Sequence, residues 1–421
     1  MKILISAYAC HPLATQGSFP GEAILGWNLV RQAGRFHEIH VLTRAYNREA
    51  IQEAVKKENL RNLHFHYISL PKPFQLLLGN FFGFRIYYLL WQIKAYAFSK
   101  TLRTKVHFDI FHHMTFNNDW MPSFIGAFSD VPFVWGPMGG GQRVPASFMK
   151  SLSLKSRMLE HARLAGQSFW RRTVFRRMCV RKAAAILVCN GETERMIRRL
   201  TPRTCFFPVN GISKSEISSI KPRADHGRAV FKVLFAGRLD PIKGVEFGIR
   251  AFAAFSRKHP NSRFEIIGSG PEDGAMRRLA DELGLEQNVL FSAWLPRHEL
   301  MKKLAAADVF LFPSLRDGGG AVVVESMASG TPVICLNTGG PGFHVLQEWG
   351  IKVPPTKPDS VVKDLSRALE TLYLDPDRRE RMRYAAIARA EEYYLWERLG
   401  EKLNRIYADV TITSSEDVQT Q

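Results

Sequence analysis

The chain has 421 residues, 46% hydrophobic and 23% charged, which allows two domains with sizeable cores and excludes a chain too polar to fold. Its net charge is +19, and residues 1–210 hold 29 basic against 11 acidic side chains while residues 211–421 hold 29 against 28. The excess of +18 in the first half points to an anionic partner there: anionic lipid, a phosphorylated acceptor or nucleic acid. Five scattered cysteines, Cys10, Cys179, Cys189, Cys205 and Cys335, form no C-x-x-C pair. They predict a reducing compartment with neither disulfide nor zinc site.

In chain order, MKILISAYAC reads as a first buried strand, since its apolar run is short for a signal peptide. The loop HPLATQGSFPGE follows, with Gly17, Ser18 and Gly21. Strand patterns come next at EIHVLTRA, LHFHYISL, DIFHHM, PFVWGPM, AAILVCN and TCFFPVNG. DIFHHM sets His112 and His113 at a strand end, and PFVWGPM runs into Gly139–Gly141. Residues 208–227 are polar with Gly and Pro, as a linker would be. Beyond them lie FKVLFAG, RFEIIGSG, VLFSAWL, VFLFPS, TPVICLN and GIKVPP, with helical patterns at 243–258, 272–284, 298–307 and 359–373. A long amphipathic helix is expected over about 377–408, capped by Asp375-Pro-Asp377.

Near-continuous apolar strands alternating with helices predict an α/β protein of two doubly wound sheets. The expected division is an N-terminal domain over 1–207 and a ligand-binding domain over 208–390. A C-terminal helix at 391–410 would pack back on the first domain, and a disordered tail would fill 411–421. Ligands of such sheets bind in loops at the carboxyl ends of the strands, so two facing domains would enclose a cleft.

Those loops carry the chemistry. GRLDPIKG follows a strand and offers Arg238 and Lys243, a fork and a point charge suited to a diphosphate. GSGPED offers Gly268 and Gly270, a weak signal alone. RDGGGAVVVESMASGTP places Asp317 before the glycines 318–320 and Glu325 within the helix that follows. Close backbone approach and a helix N-terminus suit a phosphate, and the two carboxylates can accept hydrogen bonds from sugar or ribose hydroxyls. No D-x-D motif stands in a strand-end loop, so no metal and no other cofactor is expected; charge on a leaving group would fall to Arg238, Lys243 and the helix N-terminus.

In order and spacing, GRLDPIKG, GSGPE, LPRHEL, ADVFLFPSLRDGGGAVVVESMASGTPVI and NTGGPG resemble the retaining glycosyltransferases of family 4 (glycosyl transferase group 1), which have the GT-B fold. SAYACHP, GSFPGE, HHMTF and PFVWGPMGGG resemble one bacterial branch of that family. The resemblance implies a metal-independent transfer from a UDP- or GDP-sugar to a glycan or lipid-linked acceptor, with retention, in surface polysaccharide biosynthesis. It implies that Glu325 binds ribose, Asp317 approaches the donor sugar, and Arg238 and Lys243 neutralise the diphosphate. His113, in competition with His112, lines the sugar site. Gly17, Gly270, Leu295, Gly319, Gly320 and Ala321 complete the donor-binding set. Asp317 and Gly319 depart from the commonest pattern, which has Glu and often an aromatic there. A sugar-nucleotide epimerase of the same fold, or a non-catalytic nucleotide- or membrane-binding scaffold, is the alternative reading.

Residues 150–182 carry ten basic side chains against Glu160, interleaved with Phe148, Phe169, Trp170 and Phe175 nearby. Residues 73–98 are apolar and aromatic, broken by Arg85 and Lys94. They are too interrupted for a spanning helix and fit a helix in the membrane interface. The expected location is therefore cytoplasmic, peripheral on the inner face of the membrane, with an anionic surface as partner and no nucleic acid.

Overall fold

The computed structural model describes residues 1–13, 20–79, 81–116, 118–218 and 230–419. Its strands make two wholly parallel sheets. In the first, β1 (Lys2–Ser6), β2 (Glu38–Arg44), β3 (Leu63–Ile68), β4 (Ile110–His113), β5 (Phe133–Met138), β6 (Ala183–Val188) and β7 (Thr204–Phe206) lie in the order β3-β2-β1-β4-β5-β6-β7. In the second, β8 (Phe231–Ala236), β9 (Ser262–Ile267), β10 (Val289–Ser292), β11 (Val309–Phe312), β12 (Val333–Leu336) and β13 (Gly350–Val353) lie in the order β10-β9-β8-β11-β12-β13. Central strands such as IFHH of β4 and VFLF of β11 are buried throughout, because helices cover both faces of each sheet. In both sheets the strand order reverses beside the first strand, between β1 and β4 and between β8 and β11. Crevices for ligands form at such points.

The chain divides into two compact units. One comprises Met1–Gly141, Ala165–Val209 and Trp396–Gln421; the other comprises Gln142–Leu164 and Asn210–Leu395. Residues 142–164 thus leave the expected N-terminal domain 1–207. Val144, Phe148 and Leu152 are buried in the second unit's core, where Phe148 meets Phe247 edge-on at 5.2 Å. Of the expected linker, Lys214–Ser218 is a short helix and 219–227 lie outside the described residues.

The single terminal helix expected over 377–408 is two helices, Pro376–Tyr393 and Trp396–Gln419. Asp375 does cap the first, accepting from the Arg378 N–H at 2.8 Å, with Pro376 in the first turn. The break is at Tyr394 and Leu395. The Tyr394 carbonyl accepts from Ile212 N at 2.8 Å and Leu395 bridges to Ile212, so this backbone bonds outside the helix. The second helix belongs to the first unit, burying Trp396, Leu399, Leu403 and Tyr407 in its core. It also takes up most of the tail expected to be disordered over 411–421, running to Gln419. TITSSEDVQ holds no Gly or Pro to stop a helix, and the Thr411 hydroxyl turns back to the carbonyls of Tyr407 and Ala408.

Candidate functional site

In the second unit the loops after β8 and β11 meet at the point where strand order reverses. The loop after β8 contains Lys243, and the loop after β11 contains Asp317. Their side chains form an ion pair, 19% and 15% exposed. The other Asp317 oxygen accepts from the Gly320 N–H at 2.7 Å. Burial works against a charge on Asp317, but Lys243 and the backbone N–H groups of Gly319 and Gly320 hold its carboxyl below the ordinary value. Asp317 therefore stays an anion.

The turn itself is built for close approach. Gly320 has φ 60° and ψ 42°, a left-handed conformation that disfavours any Cβ. It opens the helix Ala321–Ala328, whose first N–H groups, at Ala321 and Val322, lack intrahelical acceptors by helix geometry. The Gly319 carbonyl accepts from His344 Nε2 at 2.8 Å and from Asn210 Nδ2 at 2.9 Å. His344 Nδ1 accepts in turn from the Tyr394 hydroxyl at 2.7 Å, and burial pushes the ring down to about 4, so it is neutral. The Gly340 N–H donates to the Asp317 carbonyl at 3.1 Å. The glycine turn is thus held from three directions before any ligand arrives.

Glu325 points to a different cation. Its Oε1 lies 3.0 Å from Arg297 Nε, which is 3.1 Å from Glu216 as well. These are ion-pair contacts without hydrogen-bond alignment. Burial raises the Glu325 carboxyl, Arg297 lowers it, and Glu216 adds repulsion. Arg297, from LPRHEL, was legible as a motif member but not as a partner. Arg238 is 75% exposed and forks onto Asp240 at 2.8 and 3.1 Å, apart from the Lys243–Asp317 pair. Gly270 permits loop packing: a Cβ there would lie 2.5 Å from the Leu239 carbonyl. Leu295 is half-buried against the core. Gly17 lies outside the described residues.

The inserted stretch 142–164 reaches the same turn. Arg316, next to Asp317, pairs with Glu160, which also binds Arg163. Glu160 is only 4% exposed, so it is no member of a solvated basic face. In the first unit two more residues of the basic run turn inward. Arg171 forks onto buried Asp119 at 2.6 and 3.0 Å, and Arg176, 5% exposed, donates to the Asp119 carbonyl at 3.1 Å.

The histidine pair of β4 divides by strand alternation. His112 bonds the Gly136 carbonyl at 2.7 Å and the Tyr407 hydroxyl at 2.6 Å, an entirely internal role. His113 ends β4, with Nε2 2.8 Å from the Tyr88 hydroxyl, and burial pushes it down to about 3. Nearby, Glu22 accepts from Phe116 N at 3.3 Å, and burial raises its carboxyl to about 7. Nothing in GSFPGE distinguished Glu22 as a half-buried acid. Of residues 73–98, Tyr88, Trp91 and Ala95 are buried in this unit, so the helix Phe81–Arg103 has a core face rather than lying wholly in an interface. Leu76, Leu78 and Ile93 are exposed. Among the described residues no helix is long and apolar enough to cross a membrane.

Residues 219–389 match the family described as glycosyl transferases group 1. A D-inositol 3-phosphate glycosyltransferase of Corynebacterium glutamicum is 33% identical over 195 residues, 45% of this chain and 46% of that relative, so the match spans about half the relative's length. Among solved structures, sucrose-phosphate synthase from Thermosynechococcus elongatus has TM-score 0.62 at 19% identity, covering 98% of this chain and 99% of that one. Anabaena HepE in complex with UDP and glucose has TM-score 0.59 at 18% identity, covering 97% and 100%. At these identities the two structures show the fold: two Rossmann-like domains of GT-B type.

Proposed function

We propose that this chain, whose residues 219–389 match the group 1 glycosyl transferases, moves a sugar from a UDP- or GDP-sugar to a glycan or lipid-linked acceptor. The observation that carries this reading is the Lys243–Asp317 pair set on a glycine turn and helix N-terminus where strand order reverses. The donor diphosphate would lie against the first N–H groups of the helix, with Lys243 turning from Asp317 to the developing phosphate charge. Asp317, released, would accept from donor-sugar hydroxyls. Glu325 would keep Arg297 on Oε1 and accept from ribose hydroxyls through Oε2. Arg238 would have to leave Asp240 to share the diphosphate.

The reaction is a front-face substitution with retention. The bond from the anomeric carbon to the phosphate oxygen breaks as the bond to the acceptor oxygen forms, and the leaving phosphate oxygen takes the acceptor's proton. No divalent ion is required in that scheme, because Lys243 and the helix N-terminus meet the charge. The place of action is the inner face of a bacterial cytoplasmic membrane, in surface polysaccharide assembly. Supporting that placement, the first unit exposes Phe169, Val174 and Phe175 beside exposed Arg172, Arg177, Arg181 and Lys182.

Calorimetry with UDP and with GDP, followed by transfer assays with and without EDTA, tests the proposal. One nucleotide should bind, and transfer should survive the chelator. Binding of neither nucleotide would overturn the donor assignment, and loss of transfer restored by a divalent ion would overturn the metal-free scheme.

A further inference from the structure

A second cluster of polar side chains lies in the first unit, at the end of the sheet opposite the loops that follow its strands. β2 begins Glu38-Ile39-His40 and β3 begins Leu63-His64-Phe65-His66. Strand alternation sends Glu38, His40, His64 and His66 to one face, and the parallel register sets His40 beside His64. The His40 and His64 ring centroids are 4.7 Å apart. Glu38 Oε1 lies 3.3 Å from His40 Nε2 and 3.9 Å from His64 Nε2, and one ligand atom from each residue falls within 4.8 Å of the others. Lys2 holds the second Glu38 oxygen at 3.3 Å.

We propose that Glu38, His40 and His64 form a structural site for a divalent ion of the zinc class. A tetrahedral zinc with bonds of about 2.0–2.1 Å needs ligand atoms about 3.3 Å apart. One pair already has that spacing and the others require only side-chain adjustment, with water in the fourth position. Two imidazoles and a carboxylate are a donor set that zinc accepts. His66 supplies the supporting contact such sites have. Its Nε2 is 3.0 Å from His40 Nδ1, placed to accept that N–H when His40 ligates through Nε2. Without an ion, protons satisfy the same contacts, His66 donating to His40 and His40 to Glu38. The ion replaces the second proton and reverses the first bond. Since the cluster sits at the amino ends of β2 and β3, its role is to pin edge strand β3, not to take part in transfer. A cysteine count has no bearing on it.

The test is titration of chelator-treated full-length protein with cobalt(II) and zinc(II). Wild type is expected to bind one ion per chain, with the visible bands of tetrahedral cobalt, and zinc should raise its Tm. His64→Gln and Glu38→Gln alter side chains that are 47% and 37% exposed, so both should fold with the metal-free Tm of wild type. Each should weaken binding about tenfold or more and lose the zinc-dependent rise in Tm. His66→Phe should weaken binding roughly 10- to 100-fold. UDP or GDP affinity should be the same in His64→Gln as in wild type. No ion bound by wild type, or equal binding by wild type and both variants, would overturn the proposal.

Discussion

The two sheets reverse strand order at the same place, yet the chemistry at the two reversal points is opposite. After β8 and β11 the second unit sets Lys243 against Asp317 and holds Asp317 as an anion, since Lys243 and the N–H groups of the glycine turn favour its carboxylate form. After β1 and β4 the first unit's surroundings disfavour charge: His113 falls to about 3, half-buried Glu22 rises to about 7, and Tyr8 rises to about 12 despite Arg44 over its ring. Burial penalises charge in both places, and pairing decides whether a group keeps it. One topology thus presents a mouth built on an ion pair in one unit and an aromatic mouth that disfavours charge in the other, which is why topology alone assigns no activity.

The strongest challenge to this contrast is Lys243→Ala, which removes the cation and leaves the glycine turn. Turnover should fall about 100- to 1000-fold, the scale for losing a group that stabilises transition-state charge, with the fold retained by circular dichroism. Transfer within a factor of two of wild type would mean that the pair is only structural. Glu325→Ala should weaken nucleotide binding by about 1.5–3 kcal/mol, roughly tenfold to a hundredfold. Calorimetry with the free nucleotide reads this directly, because the ribose belongs to it, and unchanged affinity would remove Glu325 from the site.

On the neutral side of the comparison, Glu22 makes stability depend on pH. Its folded value of about 7 exceeds the ordinary 4.5. The folded protein therefore holds a proton that the unfolded chain releases, and the stabilisation is full below about 4.5 and lost as pH rises through 7. Glu22→Gln keeps the neutral form. Urea denaturation should show the variant gaining about 1–3 kcal/mol over wild type between pH 5 and pH 8, and parallel pH profiles would show that Glu22 is ionised throughout. The smallest effect is expected from Arg172→Ser with Arg177→Ser, two exposed members of the basic run. Attraction to an anionic leaflet is about 1 kcal/mol per basic residue and is screened by salt. Co-sedimentation with anionic vesicles should weaken while nucleotide affinity stays constant. Equal pelleting with neutral and anionic vesicles would refute the electrostatic docking.

Local sequence carried much of this. The strand runs, the helices between them and the glycine turn were legible because buried parallel strands are apolar throughout and glycine marks a left-handed turn. So was the Asp375 cap. Partners were not legible. DIFHHM could not say that His112 is occupied by Tyr407, 295 residues away, and the basic run did not separate Arg171 and Arg176, which bond Asp119, from Arg172 and Arg177, which face solvent. EIH and HFH read as strand alternation, and only the register of β2 on β3 gathers them into a cluster.

By itself, then, the sequence determined two doubly wound sheets and which loops follow their strands, because periodicity and turn chemistry are set within a few residues. The tertiary structure alone decided that residues 142–164 pack with the second unit, that the last helix breaks at Tyr394, and that Asp317 and Glu325 pair with different cations. Those outcomes depend on burial and charge pairing between residues far apart in the chain, and no local pattern encodes which distant partner arrives.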